Sequence, residues 1–310
     1  MKVLFLDTCH ESLSAGISKL GYEVELDNTS SKKDIENKLH LFNGIVIRSR
    51  FKLDSEFLDN AKHIKFIARV GAGVENIDVP HAEKLGINLI SAPEGNRNAV
   101  GEQAIAMLLS LFNNLNRADK EVRQGVWIRE GNRGVELRGK TVGIIGYGNM
   151  GKAFSRVLKG FGVDVIFHDL IKGIEDENAR QVELEEIFSS ADVLSVHTPL
   201  TDLTNGMICS SFFQKFKKDI YFINTARGPI TVTNDLVENL KSGKVKGACL
   251  DVLEYEKTSF ENLFENKTLP EAFSYLISSD KVILSPHIAG WTHESNIKMA
   301  QVIIDKVKSI

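Results

Sequence analysis

The sequence predicts an α/β fold made of two doubly wound parallel-sheet domains. Three observations predict it. Short β-branched runs alternate with helical stretches along the chain, the pattern of parallel strands joined by crossover helices. The runs form a set of five and a set of six, with a long helical pattern between them. A glycine-rich turn stands between a strand and a helix in the second set. A length of 310 residues suits two domains, and 43 % apolar with 25 % charged residues is an ordinary globular composition. That composition excludes a disordered or collagen-like chain.

In the first set the expected strands are Val3–Leu6, Glu23–Leu26, Gly44–Ile47, Lys65–Arg69 and Ile87–Ile90. One helix is expected over Asn98–Gln124, with Ala99, Ala104, Leu108, Leu111 and Leu115 on one apolar face. The second set is Thr141–Ile145, Val163–His168, Val193–Val196, Ile220–Ile223, Gly247–Leu250 and Val282–Leu284. A last helix over Thr292–Ile310 follows the second set and is expected to return to the first domain. The domains are then 1–97 with 288–310, and 98–287, with a cleft between them.

A net charge of −3 gives no basic excess for nucleic acid or an anionic membrane. Cys9, Cys209 and Cys249 are distant from one another and form no C-x-x-C, so neither a disulfide framework nor a metal site is expected. The apolar run at Val3–Leu6 is too short for a signal-peptide core, and Ala104–Phe112 is far below the ~18 residues that span a bilayer. A cytoplasmic protein is expected.

Gly146-Tyr147-Gly148-Asn149-Met150-Gly151 is a G-x-G-x-x-G in the right surroundings. It follows the strand Thr141–Ile145 and opens a helix. Gly146 makes the tight turn, Gly148 admits a pyrophosphate, and Gly151 lets helix and strand pack closely. The pyrophosphate then meets unpaired N–H groups at a helix N-terminus. Asp169, eighteen residues beyond Gly151, ends the next strand, where a carboxylate accepts from ribose hydroxyls and repels a 2′-phosphate. The expected cofactor is NAD. A methyltransferase or another doubly wound protein is the competing reading.

Ligands of open parallel sheets bind beyond the carboxyl ends of the strands. Those ends carry His197-Thr198-Pro199, Asn224-Thr225-Ala226-Arg227-Gly228, Asp251, and Ser285-Pro286-His287. Singly, each has a bland reading: a structural histidine, a solvated arginine, an N-cap. Together, an arginine, an acid and a histidine on the rim that carries a nicotinamide suit hydride transfer.

These segments, with Ile47–Arg50, Arg69–Asp78, Asn96–Glu102 and Gly125–Trp127, resemble the D-isomer-specific 2-hydroxyacid dehydrogenases nearly end to end. The phosphoglycerate dehydrogenase branch is the most similar. The resemblance implies a Rossmann NAD-binding domain inserted into a flavodoxin-like substrate domain. It implies a catalytic Arg227, Glu256 and His287, with Glu254 the competing partner for the histidine. His287 would be the acid/base, Glu256 would orient it, and Arg227 would bind the substrate carboxylate. Cofactor contacts would come from Gly146, Gly148, Asn149, Met150, Gly151, Asp169, His197, Thr198, Pro199, Thr225, Ala226, Arg227, Asp251, His287 and Gly290. Substrate contacts would come from Arg48, Ser49, Arg227, His287 and the backbone N–H groups of Val70, Gly71, Ala72 and Gly73.

Three departures from the family pattern stand out. Lys257 replaces a proline, an insertion spans Phe260–Ser278, and Trp291 stands in a stretch that ordinarily reads P-H-I-G-G-S-T. A C-terminal regulatory domain is not expected. The expected substrate is 3-phosphoglycerate, as in serine biosynthesis, and the expected assembly is a homodimer. Glyoxylate or hydroxypyruvate reduction is the enzymatic alternative. An NAD-sensing, corepressor-like protein without activity is the alternative of another class.

Overall fold

The computed structural model describes residues 1–256 and 269–310. Lys257 and the first part of the insertion, up to residue 268, lie outside the described residues. The elements in chain order are β1 (Lys2–Phe5), α1 (Glu11–Lys19), β2 (Glu23–Leu26), α2 (Lys32–Lys38), β3 (Gly44–Ile47), α3 (Ser55–Asp59), β4 (Phe66–Arg69), α4 (Val79–Lys84), β5 (Asn88–Ser91) and α5 (Pro93–Phe112). Then come α6 (Leu115–Arg123), β6 (Thr141–Ile145), α7 (Asn149–Leu158), β7 (Asp164–His168), β8 (Arg180–Gln181), α8 (Leu184–Ser190), β9 (Val193–Val196) and α9 (Ser210–Phe213). The last are β10 (Ile220–Asn224), α10 (Thr233–Ser242), β11 (Val245–Leu250), α11 (Glu271–Ser278), β12 (Val282–Leu284) and α12 (His293–Lys308).

The chain divides into two compact units, Met1–Arg97 with Trp291–Ile310, and Asn98–Gly290. It re-enters the first unit at Trp291, where the sequence places the return at residue 288.

The first unit holds a parallel five-stranded sheet in the order β2-β1-β3-β4-β5. Its inner strands β1, β3 and β4 are largely apolar and buried on both faces, as a sheet covered on both sides requires, whereas the edge strand β2 reads Glu-Val-Glu-Leu with no buried residue. In β1 and β3 the alternation is direct: Leu4, Ile45 and Ile47 enter one core with Ile35, Leu39 and Phe57. Val3, Phe5 and Val46 enter the other with Leu13 and Ile17 of α1 and Met299, Ile303 and Val307 of α12. Helix α12 starts cleanly because Thr292 and Ser295 form a capping box.

The second unit holds a parallel seven-stranded sheet in the order β12-β11-β10-β9-β6-β7-β8. The order reverses between β6 and β9, which sets the place where a ligand enters such a sheet. One face packs on α5 and α7 through Leu108, Leu111 and Phe154, the other on α8, α10 and α11 through Ile187, Leu236 and Phe273. The end of the insertion thus forms α11, whose Ala272, Phe273 and Leu276 are buried.

The eleven expected strands are present, with ends shifted by a residue or two. The edge strand β8 was not expected; two residues carry no periodicity. The single helix expected over Asn98–Gln124 is two helices. Helix α5 begins at Pro93, a residue suited to a first helical turn. It ends at Phe112, and Asn114 then takes a left-handed φ of 51° before α6 begins. Asparagine tolerates that conformation far better than most residues.

Two glycines mark close approaches to α12. A Cβ on Gly16 would overlap the flexible end of Ile304, whereas one on Gly95 would lie 2.5 and 2.6 Å from the Met299 backbone N and Cα. Gly95→Ala is expected to lower stability by about 1–3 kcal/mol, because backbone cannot step aside. Gly16→Ala is expected to cost less, since the Ile304 side chain it meets can turn aside where the Met299 backbone cannot. Urea unfolding of the two variants checks the order.

Candidate active site and cofactor cradle

Strand β6 ends at Ile145, and the chain turns at Gly146 with φ 90°. A Cβ there would lie 2.9 Å from the His197 carbonyl group and from Thr198 Cγ2. A Cβ on Gly151 would overlap the Gly146 carbonyl oxygen, so α7 lies against the turn. Gly148 is different: nothing lies within 4 Å of a Cβ placed on it. Gly148, which caps α7 without a side chain, thus leaves the place of a side chain at the start of that helix unfilled, as the approach of a pyrophosphate to a helix N-terminus requires. Asn149 and Met150 form the first turn of that helix.

The Asp169 carboxylate is fixed at the rim by two backbone donors. Tyr147 N–H donates to Oδ2 at 2.7 Å and Ile171 N–H to Oδ1 at 2.9 Å. Each oxygen keeps a lone pair for a ribose hydroxyl. Tyr147 itself was not among the expected site residues. Its buried ring stacks on Phe167 with centroids 3.7 Å apart, and its hydroxyl donates to Asp176 Oδ1 at 2.7 Å. An aromatic residue between two glycines of the turn is the signal that could have found it.

Around this turn three buried polar atoms have no partner among the described residues: His197 Nδ1, Thr198 Oγ1 and Thr225 Oγ1. They lie after β9 and β10, and buried polar atoms are normally satisfied. Open space at Gly148, an acid at the end of β7 and orphaned donors at two strand ends fit a bound dinucleotide. Ala226 is buried and Pro199 exposed. His197 Nε2 lies 2.8 Å from Ser195 Oγ. Burial pushes its imidazole down to about 4, so it is neutral at pH 7.

His287, Glu256 and Asp251 come together at the ends of β11 and β12. His287 Nδ1 lies 2.8 Å from Glu256 Oε2. Glu254 faces elsewhere, accepting from Thr233 N–H at 2.8 Å at the start of α10. Glu256 is therefore the histidine's partner by contact. His287 has φ 55°, an unfavourable conformation for a non-glycine residue. Asp251 holds it there. Its carboxylate is 1 % exposed and accepts from Ser285 Oγ at 2.6 Å, Ile288 N–H at 2.9 Å and Ala289 N–H at 2.9 Å. Asp251, expected to contact the cofactor, thus has its carboxylate on the His287 loop. Gly290 ends the loop.

Arg227 follows Asn224, whose side-chain amide donates to the Arg227 carbonyl at 3.0 Å and whose Oδ1 accepts from Ala226 N–H at 3.0 Å. A Cβ on Gly228 would overlap the Leu253 carbonyl. Leu253 N–H in turn donates to Glu256 Oε1 at 2.5 Å. The Arg227 turn, the Glu256 segment and the His287 loop are thus one interlocked assembly.

In the first unit the expected substrate residues divide. Asp7, after β1, accepts at one oxygen from the N–H groups of Arg48, Ser49 and Arg50 at 2.6, 3.2 and 3.3 Å. Asp7 was not foreseen. Arg50 caps the carbonyl groups of Leu6, Asp27 and Ser30 and so ties loops together. The Arg48 guanidinium lies over the Trp291 ring, 4.2 Å from its centroid. The expected cradle of four amides at Val70–Gly73 is corrected. Val70 N–H donates to Ile47 O and Gly71 N–H to Arg69 O, both at 2.9 Å. Among the described residues, Ala72 and Gly73 are the amides of that turn with no such backbone bond.

A family model described as "D-isomer specific 2-hydroxyacid dehydrogenase, NAD binding domain" matches residues 105–289. The D-3-phosphoglycerate dehydrogenase of Archaeoglobus fulgidus is 35 % identical over 99 % of this chain and 56 % of its own length. The hydroxypyruvate reductase of Thermotoga maritima is 33 % identical over 85 % of this chain and 83 % of its own. A solved glyoxylate reductase from Paecilomyes thermophila superposes with a TM-score of 0.86, at 25 % identity over 100 % of this chain and 94 % of that one. The chain belongs to the D-isomer specific 2-hydroxyacid dehydrogenase family, and its second unit carries the NAD-binding domain of that family. It spans about half the length of the first two curated phosphoglycerate dehydrogenases it matches, 56 % and 50 %.

His197 gives a test through pH. Its proton is disfavoured only in the folded protein, so the unfolded chain binds more protons below its ordinary value of 6.5. Its contribution to stability is complete above pH 6.5 and is lost as pH falls toward about 4, a loss of roughly 3 kcal/mol. Urea midpoints measured from pH 7 to pH 4 are expected to fall more steeply in the wild type than in His197→Asn.

Proposed function

We propose that this protein is an NAD-dependent D-2-hydroxyacid dehydrogenase whose acid/base is His287, with 3-phosphoglycerate and 3-phosphohydroxypyruvate as its substrate pair. The contact of His287 Nδ1 with Glu256 at 2.8 Å, in a loop held by the buried Asp251, carries the reading. The bound NAD supplies the two-electron oxidation or reduction at C2 of the substrate. His287 Nε2 takes the hydroxyl proton on oxidation and returns it to the ketone oxygen on reduction. Glu256 fixes the ring orientation and balances the positive charge that appears when Nε2 is protonated. Arg227 binds the substrate carboxylate, for which its planar fork is suited. Asp169 accepts from the adenosine ribose and selects NAD over NADP.

Reduction of hydroxypyruvate or glyoxylate is the second reading. It is supported by the relatives of those names in Thermotoga maritima and Thermofilum pendens, the latter 35 % identical. The retained histidine–glutamate pair speaks for an enzyme over a sensor without activity. A homodimer is part of the proposal. It is supported by exposed apolar residues on and after α6: Leu115, Val122, Trp127 and Ile128, with Trp127 79 % exposed.

Reduction assays with 3-phosphohydroxypyruvate, hydroxypyruvate and glyoxylate, each with NADH and NADPH, test the function. His287→Ala is expected to lower kcat by about 10²–10⁴-fold, with cofactor affinity changed only a few-fold. Normal turnover would remove His287 from the mechanism. Asp169→Ala is expected to weaken NADH and relax the rejection of NADPH. An unchanged preference in the assay would assign selection to other residues.

A further inference from the structure

We infer that Tyr147 is a positioning residue for the cofactor: its backbone N–H and its phenol hold the two ends of the segment 169–176, and that hold keeps Asp169 turned to the adenosine ribose and disfavours a 2′-phosphate. The inference rests on the proposed role of Asp169 and deepens it. All the residues it uses belong to the second unit.

The glycines of the Gly146–Gly151 turn are what pyrophosphate binding needs. The tyrosine between Gly146 and Gly148 is surplus to that need. Its side chain is fully buried, and its ring lies flat on Phe167 of β7, 10° from parallel with centroids 3.7 Å apart. A phenylalanine would fill that place equally well. The hydroxyl is the part that calls for a reason, since a buried polar group is costly unless it is bonded. It donates to Asp176 Oδ1 at 2.7 Å and lies 2.9 Å from Ser155 Oγ.

Asp176 stands seven residues beyond Asp169. The same Asp176 oxygen accepts from Asn178 N–H at 2.9 Å and from Asn178 Nδ2 at 3.2 Å. Burial raises the Asp176 carboxyl, but the hydrogen bonds from Tyr147 and Asn178 outweigh it and hold the group below its usual range. Burial pushes the Tyr147 phenol up, so it keeps its proton and donates. The bond between the two is charge-assisted, the stronger kind.

The other end of the segment is held by the same tyrosine. Tyr147 N–H donates to Asp169 Oδ2, and Ile171 N–H donates to Oδ1. Between the ends, Gln181 of β8 clasps the near half: its Nε2 donates to Ile171 O at 2.8 Å and its Oε1 accepts from Gly173 N–H at 2.9 Å. Residues 170–173 are exposed, and the segment's hold on the hydrophobic core is the partly buried Ile174. To make room for a 2′-phosphate, the Asp169 carboxylate must leave both of its donors or the segment must retreat with it. The bond from the phenol to Asp176 resists that retreat. A segment ordered beforehand also loses less freedom when a ribose binds. The buried hydroxyl thus acts on the ribose through Asp169.

The experiment titrates the full chain with NADH and with NADPH, read by nicotinamide fluorescence. The proteins are wild type, Tyr147→Phe, Asp176→Ala, Asp176→Asn and Ser155→Ala. Tyr147→Phe is expected to raise Kd for NADH about fivefold and to change Kd for NADPH by less than about twofold. Asp176→Ala does the same, and Asp176→Asn recovers part of the loss because its amide oxygen still accepts. Tyr147→Phe combined with Asp176→Ala is no worse than either change alone. Ser155→Ala leaves the preference as it is, since the phenol keeps Asp176. In turnover, KM for the cofactor follows Kd while kcat at saturating cofactor stays. Equal weakening of both cofactors, or an effect of Ser155→Ala as large as that of Tyr147→Phe, overturns the inference.

A second arm uses no cofactor. Tyr147→Phe is expected to speed amide exchange of residues 170–178 about fivefold and to leave β6 and β9 as in the wild type. Acceleration spread over the whole sheet marks a merely structural tyrosine and overturns the inference. Asp169→Ala, titrated alongside, separates the two roles. A lost preference in Asp169→Ala beside an unchanged one in Tyr147→Phe keeps the role of Asp169 and rejects that of Tyr147. An unchanged preference in Asp169→Ala rejects both. Shifted preferences in both variants, without turnover of any 2-keto acid by the wild type, support the role of Tyr147 and reject the dehydrogenase reading.

Discussion

The candidate active site depends on one buried carboxylate. Asp251 sits at the end of β11 with 1 % exposure, and three donors from residues 285–289 converge on it. Charge-assisted hydrogen bonds of this kind are about twice as strong as neutral ones. They offset the cost of a left-handed backbone at His287, which a non-glycine residue adopts only when its surroundings dictate it. With the backbone fixed, the imidazole has one orientation, Nδ1 on Glu256. The opposite nitrogen is thereby directed away from the carboxylate.

The same logic recurs on both sheets. Asp7 gathers three N–H groups after β1, and Asp169 gathers two after β7. Each carboxylate ends a strand and organises the turn of a neighbouring segment. Parallel sheets make this possible, because every strand delivers its last residue to the same edge. Glycine does the complementary work where backbones must touch: Gly146 on the His197 carbonyl, Gly228 on the Leu253 carbonyl.

Much of the fold was legible in the sequence, for a physical reason. Inner strands buried on both faces appear as short apolar runs, and the eleven expected strands could be read to within a residue or two. What could not be read depends on contacts between distant residues. The break at Asn114 lies in a left-handed φ of 51°, and the helix beyond it, α6, buries no residue. Strand β8 is two residues long and exists through its pairing with β7. Glu254 and Glu256 are equivalent on paper; only the fold turns one to the start of α10 and the other to His287. The roles of Asp7 and Asp251 as backbone clamps were illegible for the same reason. The Gly146–Gly151 turn was readable because its logic is local.

The division of the chain has a consequence for how the molecule is made. One face of the first sheet, with Val3, Phe5 and Val46, is covered in part by Met299, Ile303 and Val307 of α12. About two hundred residues of the other unit separate the two sides of that core. On the ribosome, the earliest strands must wait, greasy surface uncovered, while the whole intervening unit is translated. Newborn chains are then at their most adhesive midway through synthesis, when a chaperone or a neighbouring polysome meets an unfinished sheet.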